Sequence, residues 1–178
     1  MRRIALALSL VASTALAGAL PAPPKGFTWH AVTALEASFL TPDGWHVREE
    51  QSEKTLAVFI TEKEFAPPQE FDVGVTINAF LGNPGAPERV KKLLDDVAAK
   101  YSIRLKSAEN GPFRVLACQF DSTRKKDALR VRTNMLGIAN PKTRTAYLVI
   151  FESPVSRWDE TWSKGKVILD NLALEPEM

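Results

Sequence analysis

Apolar and polar residues alternate along several short runs of this sequence, and a period of two is typical of β-strands with one buried face. Val73, Val75, Ile77 and Ala79, for example, fall on one face of such a run. The runs that predict strands in the first half of the chain are 27–32, 35–41, 45–50, 56–61 and 71–81. They are separated by residues typical of turns and loops, chiefly proline, glycine and asparagine.

The period changes after the loop that ends near Gly85. Pro87 suits the first position of a helix, because its missing N–H would have no partner there. Lys91 and Asp95, four residues apart, form a pair that supports a helix on its exposed side. The apolar residues that recur at helical spacing are Val90, Leu93, Leu94, Val97, Ala98 and Tyr101. The pattern predicts one amphipathic helix with a single buried stripe.

Strand-like runs return after the helix, at 113–121, 128–138 and 145–152, and their turn-rich connections predict an antiparallel meander. The last run is apolar on both faces, so we expect protein cover on both faces of the sheet. The sequence therefore predicts the α+β class. We expect an α/β/α sandwich in which one antiparallel sheet of about six to eight strands carries a helix on each face.

A second helix is predicted at the end of the chain, with Ser153 as its N-cap and Pro154 at its first position. Gly165 falls on its apolar stripe, either as a point of close packing or as the helix end. The other members of that stripe are Trp158, Trp162, Leu169 and Leu172. Because the two tryptophans share a face with leucines, core packing is favoured over a ligand-stacking platform.

The N-terminus has the three parts of a secretory signal peptide. A positive start with Arg2 and Arg3 precedes a short apolar run, and small residues follow it. We expect a signal peptide at 1–19, cleaved after Ala17 or Ala19, and a periplasmic or secreted protein. Residues 20–26 form a proline-rich tether, and 27–178 form a single domain with no transmembrane segment in the mature chain.

The charge balance and the cysteine content reduce the number of functions that this chain could have. The chain has 23 Lys and Arg against 21 Asp and Glu, and the loss of Arg2 and Arg3 leaves 21 of each sign. The mature chain therefore carries no net charge that would favour nucleic-acid binding. Cys118 is the one cysteine, so an intrachain disulfide is excluded. Leu116 and Phe120 share its strand face, which predicts a buried and unreactive thiol.

One short motif resembles a known family. Phe39-Leu40-Thr41-Pro42-Asp43-Gly44-Trp45 reads as strand, tight turn and strand, and we expect Trp45 to pack in the core. It resembles the F-x-x-P-x-G-W corner of PsbP-like domains, and the order of predicted elements over 35–172 is similar. The fold of that family is shared with a nuclear import factor that binds the GTPase Ran and with small exported bacterial proteins. The resemblance implies an exported, non-catalytic binding or assembly-support domain.

Residues that could carry chemistry are few. His30, His46 and Asp43 could converge from neighbouring early strands, but their spacing does not require it, and a metal site usually needs three such ligands. We predict no catalytic residue, no metal site and no cofactor. Carboxylates on distant strands can meet in a fold, but the expected role of Asp72, Asp121 and Glu152 is a solvated surface.

Two regions are predicted to contact a partner: the corner with Asp43 and His46, and the last meander with Arg130 and Arg132 on one strand face. Acidic residues among the meander's arginines favour a solvated sheet end over a basic patch. The leading interpretation is a monomeric, non-enzymatic binding or assembly-support module of the bacterial envelope, whose partner is a protein or an envelope component. The alternatives are a small exported hydrolase with its site near Asp43 and His46, and a purely structural envelope protein.

Overall fold

The computed structural model describes residues 20–35, 37–51, 55–66, 69–80 and 83–174. The predicted signal peptide lies outside these residues. The elements, in chain order, are β1 (Phe27–Val32), β2 (Ala37–Pro42), β3 (His46–Gln51), β4 (Leu56–Thr61), β5 (Gly74–Phe80), α1 (Ala86–Tyr101), β6 (Lys106–Asn110), β7 (Phe113–Thr123), β8 (Arg130–Asn140), β9 (Thr145–Pro154), α2 (Trp158–Asp170) and β10 (Ala173–Leu174).

The strands form two antiparallel sheets. The large sheet has seven strands in the order β3-β4-β5-β9-β8-β7-β6, and the small sheet has three in the order β1-β2-β10. The predicted α+β class is confirmed, and the large sheet has a number of strands within the predicted range. The predicted strands 27–32 and 35–41 leave that sheet and pair with each other and with β10. Neither β6 nor β10 was predicted from the sequence, because Ala108 is the one apolar residue of β6 and β10 has only two residues.

Helix α1 covers one face of the large sheet where β7, β8 and β9 lie. Val90 and Leu94 are buried against this face, as the helical spacing predicted, and they form one core cluster with Met135 and Leu148. Leu93 departs from the predicted stripe, since 41% of its surface is exposed. The amphipathic helix is confirmed with a narrower buried stripe.

Helix α2 and the small sheet cover the other face. Trp158, Ile168 and Leu172 lie in the larger core cluster, together with Tyr147, Val149 and Phe151 of β9. The apolar character of β9 on both faces therefore corresponds to cover on both faces, as predicted. At Gly165 an added Cβ would lie 2.6 Å from a ring carbon of Phe151, so this glycine is a point of close packing and not the helix end.

The predicted start of the second helix is wrong. Ser153 and Pro154 are the last residues of β9, and α2 begins at Trp158 after a short 3₁₀ turn. The physical reason is that β8 continues beside them, so that Arg132 opposes Ser153 and Val131 opposes Pro154. Pairing with the neighbouring strand outweighs the local capping preference.

The corner between β2 and β3 joins the two sheets. Gly44 has a φ of 77°, a left-handed conformation that suits glycine, and the Trp45 amide donates to the Pro42 carbonyl at 3.0 Å. Trp45 is buried in the larger core cluster, as predicted. Among the described residues, neither helix has the length and hydropathy that a membrane crossing requires.

Candidate functional site

The predicted corner residues lie beside a shallow cavity of about 300 Å³, which we call the corner cavity. Asp43 and His30 line this cavity, but His46 does not. The His30 ring stacks on Phe39 with 5.2 Å between centroids. The described residues contain no group of three or more His, Cys, Asp and Glu that could hold a metal ion. Asp43 and His46 are both exposed, and contact with a partner stays a prediction.

The predicted pair Arg130 and Arg132 lies on the face of β8 that α2 covers. The Arg132 guanidinium donates to Asp121 at 2.6 and 2.9 Å, and its carbon Cζ lies 5.5 Å from the Trp158 ring centroid. These hydrogen bonds lower the pKa of Asp121. Arg130 is 68% exposed and reaches Asp121 only at 3.5 Å. The Arg132 side chain is therefore paired within the protein, whereas the charge of Arg130 faces solvent.

The sequence did not reveal a larger cavity of about 530 Å³ that lies on the α1 side of the large sheet. We call it the aromatic cavity, because Phe59, Phe65 and Phe71 form one wall. The three rings meet edge to face, with centroids 5.3 Å apart for Phe59 and Phe65 and 5.4 Å apart for Phe65 and Phe71. α1 packs against β7, β8 and β9, so this cluster covers the sheet beyond the helix, over β4 and β5.

Gly74 allows the aromatic wall to approach the sheet. An added Cβ at this position would lie 2.8 Å from the Ile60 carbonyl oxygen and 3.1 Å from a ring carbon of Phe71. The backbone of β5 is therefore in direct contact with Phe71. Glu152 on β9 lies opposite Gly74 in the strand register and lines the same cavity as Phe71.

Glu152 is a partly buried carboxyl on the cavity wall. The hydroxyl of Thr133, its cross-strand neighbour, donates to Glu152 Oε1 at 3.2 Å. Burial raises the pKa of Glu152, and Glu70 adds to this effect, while the Thr133 hydrogen bond and Arg124 oppose it. The expectation of a solvated surface role was therefore wrong for Glu152, because its position beside Thr133 on the cavity wall buries it in part.

Arg124 closes one side of the cavity. Its guanidinium donates to Asp72 at 2.8 Å, to Asp127 at 2.7 Å and to the Phe71 carbonyl at 3.3 Å. Arg124 lowers the pKa of Asp127 to about 2. The arginine thus ties the turn between β7 and β8 to the segment that carries Phe71. Its hydrogen-bonding capacity is largely used within the protein.

Two further residues lie where the sequence predicted. Cys118 is buried on the α1 face of β7, and burial raises the pKa of its thiol. Trp158 is buried and stacks on Trp162 with 5.0 Å between centroids, within the core between α2 and the sheet. Neither lines the aromatic cavity or the corner cavity.

No sequence signal could have identified the aromatic cavity. Its phenylalanines come from β4 and from the segment that follows it, whereas Arg124 and Glu152 come from the last meander. Phe71 and Arg124 are 53 positions apart in the chain. Only the pairing of β5 with β9 brings these two groups together.

No family model matches the chain, and no curated protein matches it. Among solved structures, it is similar to a crystal structure from Bacteroides thetaiotaomicron with 12% identity and a TM-score of 0.49. That alignment covers 80% of this chain and 46% of the other, so this chain spans less than half of that structure. It is also similar to cyanobacterial PsbP (CyanoP) from Synechocystis, with 11% identity, a TM-score of 0.44, and coverage of 89% of this chain and 98% of the other. Both likenesses concern the fold alone.

Proposed function

We propose that this protein is an exported, non-enzymatic binding module of the bacterial envelope, and that its aromatic cavity receives a basic side chain of a partner protein. One observation carries the proposal: phenylalanine rings and surplus carboxylates line the same cavity. The surplus exists because Arg124, the one cation among its described lining residues, is shared by three carboxylates, with Asp72 at 2.8 Å, Asp127 at 2.7 Å and Glu70 at 3.6 Å, while Glu152 also lines the cavity.

The charge balance of the cavity favours a cation. Glu70, Asp72 and Glu152 all line it, together with a single arginine. Glu70 and Asp72 are 56% and 54% exposed, so they stand at the rim, where they can attract an incoming charge. An anionic ligand would meet these carboxylates and an arginine whose donors are occupied.

The aromatic wall adds a second attraction. A cation over the face of an aromatic ring gains about 0.5–1 kcal/mol at an exposed site and about 2 kcal/mol when desolvated. The guanidinium of Arg48 already lies 5.8 Å from the centroid of Phe65. The phenylalanine cluster therefore already accommodates a cation of this protein at Phe65, and its rings line the same cavity as Glu152.

The lining residues support binding more than catalysis. They include neither histidine nor cysteine, so the hydroxyl of Ser122 has no imidazole beside it in this cavity. The alternative of a hydrolase near Asp43 and His46 gains no support from the described part of the corner, where Asp43 lines the cavity and His46 does not. Arg130, Asp43 and His46 stay predicted contacts for the same partner, outside the aromatic cavity.

The proposal is tested by NMR titration of the protein with three capped amino acids: N-acetyl-arginine amide, N-acetyl-norleucine amide and N-acetyl-glutamate amide. We expect arginine to shift the backbone amides of Phe65, Phe71 and Glu152 in a saturable way. Norleucine, which has a similar reach without charge, should act more weakly, and glutamate should have no effect. Equal shifts from arginine and norleucine would contradict the role of the carboxylates.

Variants separate the cavity from general surface charge. Glu70→Gln combined with Glu152→Gln should weaken arginine binding, because both carboxylates line the cavity. Glu109→Gln is the matched control, since Glu109 lies on β6 and is 80% exposed. Arginine binding that persists in the double variant, or that weakens equally in the control, would contradict the assignment.

Export is tested separately by the mass of protein recovered from the exported fraction of cells. The expected chain begins just after Ala17 or Ala19, because small residues there follow a positive start and an apolar run. Recovery of a chain that still carries Met1 would contradict the cleaved signal peptide.

A further inference from the structure

A third cavity, of about 380 Å³, lies between the first turns of α1 and the hairpin that joins β8 to β9, and we call it the helix cavity. Its walls are mainly apolar: Pro87 and Val90 belong to α1, Leu116 to β7, and Ala139 and Pro141 to β8 and its hairpin. The helix cavity is separate from the aromatic cavity and shares no lining residue with it.

Small residues on β8 create this space. Gly137 faces α1, and an added Cβ there would lie 2.7 Å from Val90 Cγ1, so the helix rests directly on the strand. Two residues further on, Ala139 lies on the same face of β8, beyond the contact with Val90. A methyl group there fills little of the gap between the strand and the start of the helix. The volume is within the range of small-molecule sites.

The rim of the helix cavity is basic. Lys91, Arg114 and Arg144 line it, together with Glu88. Lys91 pairs with Asp95, but Arg114 is 72% exposed and lies 4.0 Å from Glu109. Among the residues that the structure describes, Arg144 has no ion-pair partner. Two arginines at the mouth of an apolar cavity therefore have capacity to bind an anionic group.

The backbone at Arg144 supports a role for its side chain. Arg144 has a φ of 59°, a left-handed conformation that residues other than glycine adopt at an energetic cost. Glycine or asparagine would satisfy this position of the hairpin more easily. The arginine at this position places its guanidinium at the rim of an apolar cavity. The placement is retained although the backbone conformation is costly for arginine.

We propose that the helix cavity binds a medium-chain fatty acid, with the acyl chain between α1 and β8 and the carboxylate held by Arg114 and Arg144. The apolar walls match the chain, and the basic rim matches the carboxylate. Because burial of each methylene group is favourable and the carboxylate stays near solvent, an amphipathic anion fits better than a wholly polar or a wholly apolar ligand. This site goes beyond the proposed recognition of a basic side chain and does not depend on it.

The test is calorimetric titration of the purified protein with sodium decanoate, 1-decanol and sodium acetate. We expect saturable binding of decanoate, affinity for decanol lower by about tenfold, and no binding of acetate. Decanol that binds as tightly as decanoate would overturn the role of the arginines. Acetate that binds comparably, or decanoate that does not saturate, would overturn the cavity as the site.

Three variants complete the experiment. Arg114→Gln with Arg144→Gln should lower decanoate affinity by about tenfold and leave decanol unchanged. Arg104→Gln, an exposed arginine outside the cavity, is the matched control and should leave both affinities unchanged. Ala139→Leu should fill the cavity and abolish binding of decanoate and decanol. If Ala139→Leu does not fold, the double arginine variant still tests the proposal. Unchanged decanoate affinity in that variant would overturn it.

Discussion

Gly165 of α2 and Phe151 of β9 are in direct contact, and a Cβ at position 165 would lie 2.6–2.8 Å from three carbons of the Phe151 ring. Phe151 is fully buried, with the Trp158 and Trp162 rings 5.4 and 5.5 Å away, so it has little room to move. The helix therefore sits at a depth that only glycine allows.

We predict that Gly165→Ala destabilises the protein by about 1–2 kcal/mol. Alanine gains about 1 kcal/mol in helix propensity, but overpacking at a rigid ring costs about 1–3 kcal/mol and clashes this close fall in the upper part of that range. The measurement is denaturant unfolding. In a Phe151→Leu background the penalty of Gly165→Ala should shrink, and an equal penalty in both backgrounds would contradict the contact.

Trp45→Ala should destabilise the protein by about 3–5 kcal/mol. Trp45 is a large side chain that packs in the larger core cluster, at the corner where the chain passes from one sheet to the other. Trp29→Ala is the control. Trp29 is only partly buried, and its Nε1 donates to the Pro21 carbonyl in the proline-rich tether. Chemical unfolding should show a clearly smaller loss for Trp29, and similar losses would contradict a special role of the corner.

Arg132→Ala should cost about 1–2 kcal/mol at neutral pH, because it removes two charge-assisted hydrogen bonds to Asp121 and a cation–π contact with Trp158. Arg130→Ala should cost little, since Arg130 is 68% exposed. Thermal unfolding of both variants distinguishes them. Equal losses of stability in the two variants would contradict a stabilising role of the Arg132–Asp121 pair.

The penalty of Arg132→Ala should depend on pH. The folded pKa of Asp121 lies below its unfolded value because of the Arg132 hydrogen bonds. The stability from this pair is therefore present above the unfolded pKa, about 3.9, and is lost as pH falls through the folded pKa. The difference between wild type and Arg132→Ala should shrink below about pH 4.

Glu152→Gln should raise the unfolding temperature at neutral pH. Burial raises the folded pKa of Glu152 above its unfolded value, so the carboxylate costs stability as pH rises between those two values. Glutamine is always neutral and can still accept the hydrogen bond from Thr133. The gain should be largest at neutral pH and should vanish at acid pH, where the carboxyl is protonated in both states. The measurement is thermal unfolding of both proteins at neutral and at acid pH, and a gain that is the same at both would contradict the effect of burial on this carboxyl.

Cys118 should react slowly with a thiol reagent in the native protein and rapidly after unfolding. Its side chain is buried under α1, and burial raises the thiol pKa, so little thiolate is accessible. The measurement is the labelling rate with and without denaturant. Fast labelling of the native protein would reopen a role for this thiol in chemistry.

The sequence by itself determined the local elements. The period of two along β5 and the helical period of α1 record which face of each element is buried, and burial is the strongest signal that a sequence carries. The residues around Gly44 likewise encode the tight turn, because few others tolerate its backbone conformation. The two-sided apolar pattern of β9 was sufficient to predict a covered sheet.

The tertiary structure alone decided how those elements were partitioned and where the cavities lie. β2 pairs with β1 and with the two residues of β10, so the early strands leave the large sheet. β9 continues through Ser153 because β8 lies beside it. The aromatic cavity needs Gly74 opposite Glu152 and Arg124 close to Phe71. These relationships depend on hydrogen bonds and packing between residues far apart in the chain, whereas the periodicity of a sequence reports only which face of each segment is buried.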